Sequence, residues 1–130
     1  MIEAAMVFDK YGWPIHWHQP PGCTEVWIPD SKDLWEVLEE NIESLGGLIH
    51  THPGTNEPHP SSEDLTTWAA CEAGLGKRLV WPIASMVAVR YFEWVGPGRL
   101  DYDDMIVRRF RLTAFDIDHL RDMSRGGHNA

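Results

Sequence analysis

The stretch from Pro29 to Gly47 constrains the fold most, because it reads as one amphipathic helix set among short apolar runs. Pro29-Asp30-Ser31 opens it, with Asp30 or Ser31 as the cap and Asp33 suited to the positive end of the helix dipole. Leu34, Trp35, Leu38, Ile42 and Leu45 recur at three-to-four spacing and define a buried stripe, while Glu36, Glu39, Glu40 and Glu43 cover the outer side. Gly46-Gly47 is the expected stop. A helix with an apolar stripe has to lay it against another layer.

The flanking runs supply that layer. Residues 3–9, 13–18 and Thr24–Ile28 read as strands, separated by Lys10-Tyr11-Gly12 and by Gln19-Pro20-Pro21-Gly22. Alternation in 13–18 places His16 and His18 on one face and Ile15 and Trp17 on the other. Leu48–His52 is a further short strand, followed by a Pro- and Gly-rich loop at 53–60 and a second helix over Ser62–Ala73. Gly74 and Gly76 break that helix before strands at Arg78–Ile83 and Met86–Val95. Pro97-Gly98 marks a turn, Met105–Leu112 pairs back as another strand, a short helix is expected at 115–124, and Gly126–Ala130 is expected to fray. The order predicts a single α+β domain over 1–130, a mixed α/β sandwich with one central mixed sheet flanked by two main helices. Its core spans about 3–112, with a tail at 113–130.

Composition narrows the function classes. A chain of 130 residues that is 43% hydrophobic fits one core, and no apolar run approaches the roughly eighteen residues of a membrane span. The start, Met1-Ile2-Glu3-Ala4-Ala5, lacks the basic and apolar regions of a signal peptide, so a cytoplasmic protein is expected. Cys23 and Cys71 show no C-x-x-C spacing and read as free thiols. A formal net charge of −9 argues against nucleic acid as a partner and is compatible with one that presents a basic face.

Chemistry concentrates between residues 50 and 64. With a period of two, the imidazoles of His50 and His52 leave the same face of their strand while Thr51 points the other way. Pro53 ends the strand, so the pair stands at its mouth, and Asp64 returns to it at the start of the second helix. Two histidines and a carboxylate with an open fourth position suit a catalytic zinc ion, which turns bound water into a nucleophile near neutral pH. Ser61-x-x-Asp64 also has the form of a helix capping box, so the same residues have a structural reading.

The run His50-Thr51-His52-Pro53, with Ser61-Ser62-Glu63-Asp64 after the loop, resembles the signature of the JAMM, or MPN+/JAB, zinc metalloproteases. The resemblance covers roughly residues 3–95 and implies a JAB/MPN-like fold with cytidine deaminase-like layering. It also implies that His50, His52 and Asp64 bind Zn2+, that Ser61 helps stabilise the tetrahedral intermediate, and that an upstream glutamate is the general acid/base. Glu3, directly before Ala-Ala-Met-Val-Phe, fits that glutamate's place, and Glu25 in Thr-Glu-Val-Trp-Ile competes with it. The loop before Ser61 is one residue longer than the family pattern. The implied activity is hydrolysis of a peptide or isopeptide bond, with a ubiquitin-like protein or its conjugates as the partner. The alternatives are a non-catalytic interaction module on the same fold, or a peptidoglycan or phage tail-processing hydrolase. His16 and His18 form a possible second metal pair without a carboxylate at ligand spacing, His59 a substrate contact or a solvated loop residue, and His119 and His128 ordinary surface residues.

Overall fold

The computed structural model describes residues 1–105 and 110–126. Its elements run β1 (Ala5–Asp9), β2 (Pro14–His18), α1 (Lys32–Glu40), β3 (Leu45–Thr51), α2 (Ser62–Leu75), β4 (Trp81–Ala84), β5 (Val89–Trp94), β6 (Tyr102–Asp104) and α3 (Ala114–Ser124). Among the described residues the strands form one sheet in the order β2-β1-β3-β4-β5-β6. Neighbours are antiparallel except β3 and β4, which run parallel and are joined through α2. This is the expected α+β architecture with one mixed sheet.

Strand parity divides the core in two. Val7, Leu38, Trp68, Trp81, Ile83 and Phe92 cluster on one face, so α1 and α2 cover that side. Met6, Phe8, Ile49, Val80, Tyr91 and Leu120 cluster on the other, which α3 covers. The helix expected at 115–124 therefore closes the face that the two main helices leave open. Among the described residues no helix is long and apolar enough to cross a membrane.

Glu72 fastens α2 to the sheet beyond it. Its carboxylate is 3% exposed and accepts the Leu79 amide at 2.7 Å, Trp81 Nε1 at 3.0 Å, Arg78 Nη1 at 2.9 Å and the Tyr102 hydroxyl. A buried carboxylate is tolerated when every lone pair is matched in this way. Gly76, left-handed at φ 66°, ends α2 and turns the chain into that network.

Several boundaries differ from the sequence expectation. Helix α1 stops at Glu40, where Asn41 folds its side chain back onto the Val37 carbonyl at 2.8 Å. Gly46-Gly47 is strand rather than helix stop. A Cβ on Gly46 would lie 2.3 Å from the Asp9 carbonyl oxygen, and one on Gly47 would lie 1.8 Å from that of Val80, so the glycines serve close strand contact. Thr24–Ile28 is not a strand. Thr24 N donates to the Trp27 carbonyl at 2.9 Å and Val26 N to Thr24 Oγ1 at 3.3 Å, which curls an exposed segment with no face to bury. β5 pairs with Tyr102–Asp104, because the turn closed between Gly98 and Asp101 sets Trp94 directly against Tyr102, and the described residues of the expected strand at Met105–Leu112, namely 105 and 110–112, are not strand. Residues 106–109 of that expected strand, together with most of the expected frayed tail and His128, lie outside the described residues.

The alternation assumed for β2 also breaks. A register shift between Val7 and Phe8 lets Ile15 pack with the Val7 cluster while Trp17 packs on the opposite face, T-shaped against His119 at 4.6 Å. His16 and His18 keep the spacing of a shared face, with ring centroids 5.9 Å apart.

Candidate metal centre

His50 is the penultimate residue of β3 and His52 follows the strand's end, both on the face covered by α1 and α2. The His50 ring stands edge-on to Trp68 of α2 at 6.4 Å, and Trp68 stacks on Trp81 at 5.5 Å, so an aromatic wall holds the imidazole. The first turn of α2 brings Asp64 to the same point. Asp64 Oδ2 lies 3.1 Å from His52 Nε2 and Oδ1 lies 3.4 Å from His50 Nε2, while the two Nε2 atoms are 2.9 Å apart. The three donor atoms fall within 4.8 Å of one another, the only such three-ligand group among the described residues.

This donor set fits a cation. Two imidazole nitrogens and a carboxylate oxygen converge on one point, an arrangement that a metal ion satisfies at all three corners. Burial alone would raise the Asp64 carboxyl, but hydrogen bonds from His50 and His52, the field of His50 and the Ser61 amide together hold it well below the usual carboxylate range. The carboxylate therefore stays ionised and ready to ligate.

Ser61 caps α2. Its Oγ accepts the Asp64 amide at 3.0 Å while Asp64 Oδ2 accepts the Ser61 amide at 2.9 Å, a reciprocal capping box. The structural reading and the ligand reading of this pair thus hold together, because Asp64 Oδ1 and Oδ2 both face the histidines while Oδ2 also serves the cap. Replacing Ser61 with alanine is expected to cost about 1 kcal/mol of stability in urea denaturation. Metal stoichiometry should be unchanged, since no ligand atom is removed.

Glu3 lies just before β1 and is 6% exposed. The register Ala5↔His50, extended two residues, brings Glu3 beside His52 on the site's face. Burial pushes its carboxyl up from 4.5 to about 7, opposed by the charge of His52 and reinforced by Asp64 and Glu63. Glu25, the competing carboxylate, sits on the exposed 24–27 turn with Oε1 2.3 Å from where a Cβ on Gly54 would stand. Its side chain runs along the loop that follows His52 rather than being buried with the ligands.

The remaining histidines have other surroundings. His59 lies 2.9 Å from Arg90 Nη1 through Nδ1 and 3.3 Å from Glu57, which fastens the 53–60 loop to β5. Among the described residues no carboxylate or thiol joins His16 and His18 into a three-ligand group. His18 is 4% exposed, and burial, aided by His16, holds its imidazole below the ordinary value.

A family model for prokaryotic homologs of the JAB domain matches residues 5–95. The chain belongs to that family. The matched span contains His50, His52, Ser61 and Asp64, while Glu3 lies two residues before it. No curated protein matches the chain by sequence. For a JAB-family chain, the sequence signals missed were the supports behind the site: Gln19 and Ser124 carry no motif, and Thr51 stands inside the His50-Thr51-His52-Pro53 run without any sign of what its hydroxyl holds.

Proposed function

We propose that this JAB-family protein is a zinc-dependent peptidase or isopeptidase in which His50, His52 and Asp64 hold the ion, Glu3 is the general acid/base and Ser61 assists the oxyanion. The observation that carries the reading is the convergence of two Nε2 atoms and a carboxylate within 4.8 Å, with a buried glutamate beside His52 on the same face. Bound there, zinc supplies a Lewis acid and an acidified water.

Glu3 then does the proton work. Its carboxylate takes a proton from the attacking water, and the same carboxyl returns it to the amine that leaves, so one water and one amide become an acid and an amine. Burial of this carboxyl beside His52 keeps it out of bulk water and close to the proposed site of both transfers. Ser61 Oγ spends its acceptor capacity on the Asp64 amide, which leaves the hydroxyl proton to donate to the developing oxyanion.

The substrate is proposed to be the C-terminal tail of a ubiquitin-like protein, as peptide extension or isopeptide conjugate, laid as an extended strand along a sheet edge. The edge strand β2 and the net charge of −9, which favours a basic partner face, support this assignment. The test is to incubate the zinc-loaded protein with a ubiquitin-like protein bearing a C-terminal extension and with an isopeptide-linked dimer. Cleavage is expected, lost on chelation and restored by zinc. Full zinc loading with no cleavage of either would favour an interaction module, and cleavage of cross-linked muropeptides instead would move the substrate to peptidoglycan.

A further inference from the structure

Three successive amides around Glu3 go to three different parts of the molecule. Ile2 N donates to the Ser124 carbonyl at 3.0 Å, Glu3 N to the Thr24 carbonyl at 2.7 Å, and Ala4 N to Thr51 Oγ1 at 2.9 Å. The Glu3 carbonyl receives Gln19 Nε2 at 3.4 Å, and the same amide group donates to the Met123 carbonyl at 3.0 Å. These bonds precede the first residue of β1, so side chains and loops fix the backbone there, where a regular ladder has not yet begun.

Thr51 is the centre of this arrangement. It stands between the two histidines, points to the opposite face, and is fully buried. Its amide donates to the Ala4 carbonyl at 3.0 Å, its Oγ1 accepts the Ala4 amide, and that oxygen shares a hydrogen bond with Ser124 Oγ at the end of α3, also fully buried. Valine would fill the same volume and suits a buried strand better. The hydroxyl therefore answers a polar need: without it the Ala4 amide and the Ser124 hydroxyl are buried and unmatched.

We propose that Thr51, braced by Ser124, is a positioning residue that fixes how far the Glu3 carboxylate stands from the ion held by His50, His52 and Asp64. The inference rests on the zinc peptidase reading for the role of Glu3. One residue thus sets both components: its backbone belongs to the ligand strand, and its side chain holds the amide next to Glu3. Catalytic groups need placement to within about half an ångström, and these bonds fix the backbone at Glu3 ahead of the first strand.

The experiment compares Thr51→Val, Thr51→Ser and Ser124→Ala in the full chain loaded with cobalt(II) and with zinc. Glutamate is labelled with carbon-13 at the carboxyl, and the Glu3 signal is assigned by its absence in Glu3→Gln. Thr51→Val is expected to bind zinc as wild type does, to shift the cobalt-induced displacement of the Glu3 signal, and to lower kcat roughly 10- to 100-fold with KM little changed. Thr51→Ser should restore all three, and Ser124→Ala should move the Glu3 signal in the same direction by less. An unmoved Glu3 signal in Thr51→Val overturns the proposal, as does loss of zinc together with activity, which would make Thr51 a support of the ligands alone. If Thr51→Val does not fold, an unmoved signal in Ser124→Ala overturns it. Because the cobalt shift is read without substrate, absence of hydrolysis in the wild type would count against the peptidase reading and leave the positioning result standing.

Discussion

The wild type is expected to bind about one equivalent of zinc per chain, and His52→Ala is expected to lose it. Loss of a group that merely supports a ligand costs about 10- to 100-fold in metal affinity, so loss of one of three ligands exceeds that. Asp64→Ala should do the same and also remove half of the capping box at the start of α2. Asp64→Asn separates the two effects: it keeps an oxygen for the Ser61 amide but presents a neutral ligand, so zinc should weaken while the helix start survives. Dialysis against zinc followed by elemental analysis reads all three variants. Full metal occupancy in a His50→Ala, His52→Ala double variant would sink the metal assignment.

Glu3→Gln is expected to retain zinc and to lower hydrolysis by about 10²- to 10⁴-fold, the range for removal of a general acid/base. The same change should stabilise the metal-free protein above neutral pH. Glu3 titrates at about 7 in the fold against an ordinary value of 4.5, so the folded state holds this proton more tightly than the unfolded chain does. That contribution is fully present below about 4.5 and is lost as pH rises through about 7, where a charge is forced into a buried place. A shift of this size corresponds to at most about 3 kcal/mol, so glutamine should gain about 1–3 kcal/mol at about pH 8 and little at about pH 4.5 in urea denaturation. Asp64 acts in the opposite sense, its contribution fading as pH falls below the usual carboxylate range, away from the window between about 4.5 and 8 in which the two proteins are compared. Equal stability curves for wild type and Glu3→Gln would show that Glu3 is not held in a charge-averse site.

The candidate ligands were legible in the sequence because strand parity is a strict rule: His50 and His52 had to share a face, and a proline-bounded loop leading into a helix start gave Asp64 a way back. Helix α1 was legible from its apolar stripe, although its end was not. Gly46-Gly47 carries the same residues whether it stops a helix or admits a neighbouring backbone, and only the proximity of Asp9 and Val80 decides between them. The alternation of Thr24–Ile28 had no sheet edge to join, and the bulge that turned Ile15 away from Trp17 depends on the register of the partner strand. Glu3 could be named from its place ahead of an apolar run, but what holds it could not. The bonds to Thr24, Gln19, Thr51 and the end of α3 join segments far apart in the chain.

The three ligands fall within fifteen consecutive residues, 50–64, and belong to one strand, one loop and one helical turn. Glu3, the proposed acid/base, is anchored through a contact of its neighbour that spans 47 positions, from Ala4 to Thr51. Short-range contacts close faster and at lower entropic cost than long-range ones. On the proposed reading, the ligand set needs only β3 and the start of α2, whereas the acid/base also needs the segment before β1 to be docked against Thr51.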